Sequence, residues 1–97
     1  MSVLIRYVPS SLTRQQYDQV NETLGEGPGQ LPDALQLHVL FGEEPNLRVS
    51  EIWSSEDEWR GAWDGPLGQA LSGAGIEFPS DPEILPVQEF TGSSVSS

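Results

Sequence analysis

The chain has 97 residues, with 15 acidic and 4 basic side chains, for a formal net charge of −11. That length suits one domain with a modest core, burying roughly two-thirds of the surface an unfolded chain exposes. Four arginines cannot neutralise a phosphate backbone, which argues against nucleic acid and anionic membranes as partners. The absence of cysteine excludes disulfides, thiolate metal sites and cysteine nucleophiles.

The chain opens Met-Ser-Val-Leu-Ile-Arg, without a basic segment or an apolar run long enough for a secretion signal, and no stretch approaches the roughly 20 apolar residues of a membrane span. A soluble cytoplasmic protein is the expectation. Val3 to Val8 is an apolar run broken by Arg6 and closed by Pro9, which reads as a strand buried on both faces. A helix follows. Thr13 suits its N-cap, Gln16 completes a capping box, Leu12 and Tyr17 fit a hydrophobic staple, and Gly25 stands where a left-handed C-terminal glycine belongs. Tyr17, Val20 and Leu24 share one face of it.

Residues 26–33 contain two glycines and two prolines and read as a loop. Ala34 to Phe41 and Leu47 to Trp53 are two strands close enough to pair as an antiparallel hairpin around Gly42–Asn46. Ser55 and Glu58 form a second capping box. Trp59, Ala62, Trp63, Leu67, Ala70 and Leu71 then recur at helical spacing, with Gly65-Pro66 predicting a kink or two abutting pieces. Glu83 to Phe90 is a last strand, and Pro86 marks it as an edge or a bulge. The order β-α-β-β-α-β predicts an α+β, ferredoxin-like domain over 1–90. Its four-stranded antiparallel sheet carries two helices on one face, and 91–97 form a disordered Gly/Ser tail. The open sheet face is too apolar for water, so a homodimer closing two sheets around a shared barrel is expected.

Val3-Leu4-Ile5-Arg6-Tyr7-Val8-Pro9, Thr13-Arg14-Gln15-Gln16-Tyr17-Asp18, His38, Leu47 to Ser55 and Pro82 to Val87 resemble the dimeric α/β-barrel superfamily that includes antibiotic-biosynthesis-type monooxygenases, among them small actinobacterial members. The likeness runs from Ser2 to about Phe90. It implies a barrel-forming homodimer and, among its possible activities, cofactor-independent oxygenation or cyclisation. The helical histidine on which haem-degrading relatives rely has no counterpart.

No cofactor is expected. The glycines after the first helix lack the lysine and the preceding strand of a phosphate loop, one histidine cannot build a transition-metal cluster, and no serine elbow or dinucleotide fingerprint occurs. His38 remains. If Phe41 faces Arg48 across the hairpin, His38 faces Glu51, Leu40 faces Val49 and Gln36 faces Trp53, and directly opposed residues share a face. Gln36, His38, Leu40, Val49, Glu51 and Trp53 would then line the barrel interior, while Leu35, Leu37, Val39, Phe41 and Ile52 pack under the helices. A one-residue slip reverses that assignment. On this reading His38 is a general base held by Glu51, Arg6 stabilises an enolate or oxyanion, and Trp53, with Gln36, Leu40 and Val49, walls a hydrophobic or aromatic ligand. The competing reading makes His38–Glu51 a satisfied structural pair in a non-catalytic dimerisation or ligand-sensing module.

Overall fold

A computed structural model of the chain describes residues 1–25 and 32–91. Its elements are β1 (Val3–Tyr7), α1 (Arg14–Leu24), β2 (Leu35–Phe41), β3 (Arg48–Trp53), α2 (Glu56–Trp63), α3 (Pro66–Gly73) and β4 (Glu83–Pro86). The strands form one antiparallel sheet in the order β2-β3-β1-β4. This is an α+β architecture compatible with a ferredoxin-like fold.

Most local signals act where the sequence places them, although only half of the second expected capping box forms, the Ser55 hydroxyl accepting from the Glu58 amide at 3.2 Å. Thr13 caps α1, accepting from the Gln16 amide, while the Gln16 side chain reaches back to the Thr13 amide. Gly25 ends α1 at φ 69°, a left-handed conformation that costs a side-chain-bearing residue and costs glycine nothing. The start of α1 is tied to the β2–β3 turn. Leu12 N–H donates to the Pro45 carbonyl at 2.7 Å, and Arg14 N–H donates to the Glu44 carboxylate at 2.7 Å, a negative group at the positive end of a helix. Gly65-Pro66 does break the second helical stretch, giving two helices in place of one. Pro66 takes the first turn of α3, where its missing N–H is harmless. A Cβ at Gly68 would collide with the Trp63 carbonyl, so the close approach of α3 to the end of α2 requires a glycine there.

Two expectations on the strands change. β1 is not buried on both faces: Val3, Ile5 and Tyr7 are buried, Leu4 is half-buried and Arg6 is exposed. β4 ends at Pro86, one further backbone bond following from the Val87 N–H to the Ser2 carbonyl at 3.0 Å, and Phe90 is exposed. The expected loop lies outside the described residues over 26–31, as does the expected tail over 92–97.

The hairpin register is as anticipated near the turn, with Phe41↔Arg48, Leu40↔Val49 and His38↔Glu51 paired. A bulge between Leu35 and Leu37 then places Leu35, not Gln36, opposite Trp53. From Leu37 to the turn the face assignment is inverted, while Leu35, shifted by the bulge, packs on the core as expected. Val3, Ile5 and Tyr7 of β1 pack with Val49 and Trp53 of β3 against Val20 of α1, Trp59 of α2 and Ala70 of α3. The face carrying His38, Glu51 and Trp53 therefore lies beneath the helices. Leu37, Val39 and Phe41, expected there, are on the open side at 37, 39 and 46% exposure, and Leu85 of β4 joins them at 39%. The cause is the pairing of β1 with β3. Ile5 opposes Glu51 and Tyr7 opposes Val49, so burying the larger apolar set of β1 carries Glu51 inward.

Candidate functional site

The site grows from one carboxylate. Glu51 is 6% exposed, in the central strand β3 beneath the helices, and burying a lone carboxylate costs several kcal/mol unless its oxygens are satisfied. Here they are. Oε1 accepts from the Tyr7 hydroxyl at 2.8 Å and the Trp53 indole N–H at 2.9 Å, and Oε2 lies 2.6 Å from His38 Nδ1. Tyr7 in turn accepts from the Trp59 indole N–H at 2.7 Å. On the other side of the imidazole, His38 Nε2 lies 2.7 Å from the Tyr17 hydroxyl of α1. A continuous chain of hydrogen bonds thus runs Trp59–Tyr7–Glu51–His38–Tyr17, crossing from α2 through β1, β3 and β2 to α1.

The chain has a direction. With Glu51 accepting as a carboxylate, a neutral His38 carries its proton on Nδ1 and presents the Nε2 lone pair to the Tyr17 O–H. Burial first, then the neighbouring Glu51 charge, pushes the Tyr7 hydroxyl far above the ordinary tyrosine value, so Tyr7 remains a donor. The stability consequence is definite. Unfolded Tyr7 ionises near 10.0 while folded Tyr7 keeps its proton, so its contribution is complete below pH 10.0 and is lost as pH rises above it. Denaturation at stepped alkaline pH should show wild type losing about 1.4 kcal/mol more per pH unit than Tyr7→Phe. Parallel pH curves for the two proteins would refute that origin.

The other sequence-selected residues divide. Leu40 and Val49 oppose one another on the inner face; Val49 is buried and lines the cleft, and Leu40 packs on the core. Trp53 is buried, its indole donates to Glu51, and it also lines a space beside the cleft. Gln36 is displaced by the bulge, exposed, and accepts from the Ser2 hydroxyl at 2.8 Å. Arg6 is on the opposite face, opposite Ser50, and pairs with Glu83 at 2.6 Å with both side chains more than half exposed. It does not approach Glu51, because neighbouring strand residues point to opposite faces. Such exposed pairs contribute well under 1 kcal/mol.

Sequence reasoning passed over Tyr17, Tyr7 and Trp59 as members of this network. The available signal was the rule that buried phenols and indoles find hydrogen-bond partners. A carboxylate whose strand pairing carries it inward needs donors of that kind.

A cleft of about 60 Å3 opens between α1, α3 and the sheet. Tyr7, Tyr17, Asn21, His38 and Glu51 are its polar lining residues, and Leu12, Val20 and Leu71 form part of its apolar wall. A second space of about 110 Å3 lies toward Trp53 and Ala62, and Leu24, Glu51 and Leu67 border both. No protein-family model and no curated protein matches the chain. Among the described residues, no helix is long and apolar enough to cross a membrane, and no three acidic or histidine side chains gather to hold a metal ion.

Proposed function

We propose that the protein binds a small hydrophobic or aromatic molecule between its helices and sheet, and that His38, held by Glu51, withdraws an acidic hydrogen from it. The observation that carries this reading is the placement of His38: a buried carboxylate holds Nδ1, and Nε2 meets the Tyr17 hydroxyl at the wall of an apolar cleft. The resemblance to antibiotic-biosynthesis-type monooxygenases supports a cofactor-independent oxygenase or a cyclase, since both reactions begin by forming a carbanion or phenolate. The two neighbouring spaces together fall short of the roughly 300–1,000 Å3 typical of ligand pockets. A ligand larger than a single ring must therefore spread Leu24 and Leu67.

Screening aromatic compounds with acidic O–H groups by thermal denaturation tests the reading. A binder at a hundred times its Kd should raise Tm by about 10 °C, and His38→Ala should lose that shift. Shifts that survive in His38→Ala would remove the base from the site. A second reading, a ligand-sensing or dimerisation module without chemistry, draws support from the network itself. Among the described residues every buried side-chain nitrogen and oxygen has a partner, as a purely structural pair requires.

Both readings include a homodimer. Leu37, Val39 and Phe41 of β2 and Leu85 of β4 expose apolar side chains on the side of the sheet away from the helices, the kind of surface that soluble proteins cover. Closing it on a second copy would leave each protomer's His38 cleft intact on the far side of its sheet. Light scattering at micromolar concentration should give twice the chain mass, and Val39→Glu should return it to the monomer value. A monomeric wild type would end the barrel proposal.

A further inference from the structure

His38 has no hydrogen-bonding position to spare: Nδ1 faces Glu51 at 2.6 Å and Nε2 faces the Tyr17 hydroxyl at 2.7 Å. A ligand entering the cleft therefore meets Tyr17 before it meets the base. Tyr17 spends its own hydrogen on Nε2, and the lone pairs of its oxygen are what the network offers outward. The residue is well placed for that task. It is half-buried on α1 and lines the cleft directly. Its ring lies 5.7 Å from the imidazole, and the Arg14 guanidinium lies 5.6 Å from the ring centroid. The start of its helix is pinned to the β2–β3 turn by Leu12 and Arg14, so the strand that carries His38 and the helix that carries Tyr17 are held together next to the contact.

We infer that Tyr17 is the residue that touches the ligand's acidic hydrogen, and that His38 acts through it. The inference rests on the ligand-binding reading above and assigns the contact within it. The step is a double proton transfer. The ligand's X–H bond breaks and its proton goes to the Tyr17 oxygen; the Tyr17 O–H bond breaks and that proton goes to His38 Nε2. Tyr17 ends neutral, the ligand anionic and the imidazole cationic beside the Glu51 carboxylate. The new Tyr17 O–H then donates to the anion it has just formed. This supplies locally the stabilisation that Arg6, on the other face of the sheet, does not reach to give.

The probe pair is 4-fluorophenol and its methyl ether 4-fluoroanisole, each a single ring observable by fluorine NMR, with the one imidazole of the chain observed by proton NMR. Wild type should bind 4-fluorophenol with a movement of the His38 resonances and should bind 4-fluoroanisole at least tenfold more weakly. Tyr17→Phe, which keeps the ring, should weaken 4-fluorophenol about tenfold and abolish the His38 response. Equal binding of phenol and ether by wild type would overturn the inference without any variant. Undiminished or tighter binding of 4-fluorophenol by Tyr17→Phe, with His38 still responding, would overturn it in another way, by making Tyr17 a plug over a base that ligands meet directly. Wild type that binds neither probe would remove the ligand-binding reading and this inference together.

Discussion

Glu51→Ala is expected to lose about 4 kcal/mol of folding stability, read as a lower denaturant midpoint at unchanged m. The carboxylate receives the Tyr7 hydroxyl, the Trp53 indole and His38 Nδ1. Its removal leaves three inward donors without an acceptor, each costing about 1–3 kcal/mol when buried, partly relieved by water entering the space. A loss below 1 kcal/mol would mean that the network tolerates its centre being absent. Glu51→Gln separates charge from shape. With its oxygen toward Tyr7 and Trp53, its amide would donate to Nδ1, and the imidazole would then carry its hydrogen on Nε2, toward Tyr17. That variant should stay within about 1–2 kcal/mol of wild type yet lose every ligand response of His38, because its basic nitrogen has been turned away from the cleft.

Trp59→Ala is the second large effect, about 4 kcal/mol. Trp59 is 1% exposed, stacks on Trp63 at 5.4 Å and donates to Tyr7. A domain of this size has about 5–15 kcal/mol of stability in all, so the variant should be partly unfolded near physiological temperature. Trp59→Phe retains most of the packing and removes the indole N–H, and should cost about 1–2 kcal/mol. If the two variants were equally destabilised, the hydrogen bond to Tyr7 would outweigh the packing, contrary to the burial.

How far the sequence could be read depended on the range of the forces involved. Features set within a few residues were legible: the Thr13–Gln16 capping box, the Gly25 terminus, the break at Gly65-Pro66 and the pairing of His38 with Glu51 across a short turn. The face those two residues occupy was not. It is decided by β1, more than 40 residues before Glu51, through Ile5↔Glu51 and Tyr7↔Val49. Placing the more apolar set of the hairpin, Leu37, Val39 and Phe41, under the helices leaves out the donors that a carboxylate finds there. Tyr7, Trp53 and His38 supply them, and each looks apolar or ambiguous when read singly. Arg6 was placed in the site for want of the same pairing. Gln36 was misplaced by a bulge that neither glycine nor proline announces. Tyr17 was visible as an apolar-face helix residue, and only the three-dimensional approach of α1 to β2 turns its hydroxyl into part of the site.

β3 carries two separate jobs on alternate residues. Val49, Glu51 and Trp53 face the helices, while Arg48, Ser50 and Ile52 belong to the other side of the sheet. A point substitution therefore alters one job and spares the other, so the ligand chemistry and the outer surface can diversify independently within six consecutive codons. An insertion or deletion of one residue has the reverse effect, exchanging both sets at once and burying Ser50 or Ile52 where the carboxylate should be. Length variation among descendants of this chain should accordingly avoid β3 and gather where pairing is already irregular, beside the bulge at Gln36.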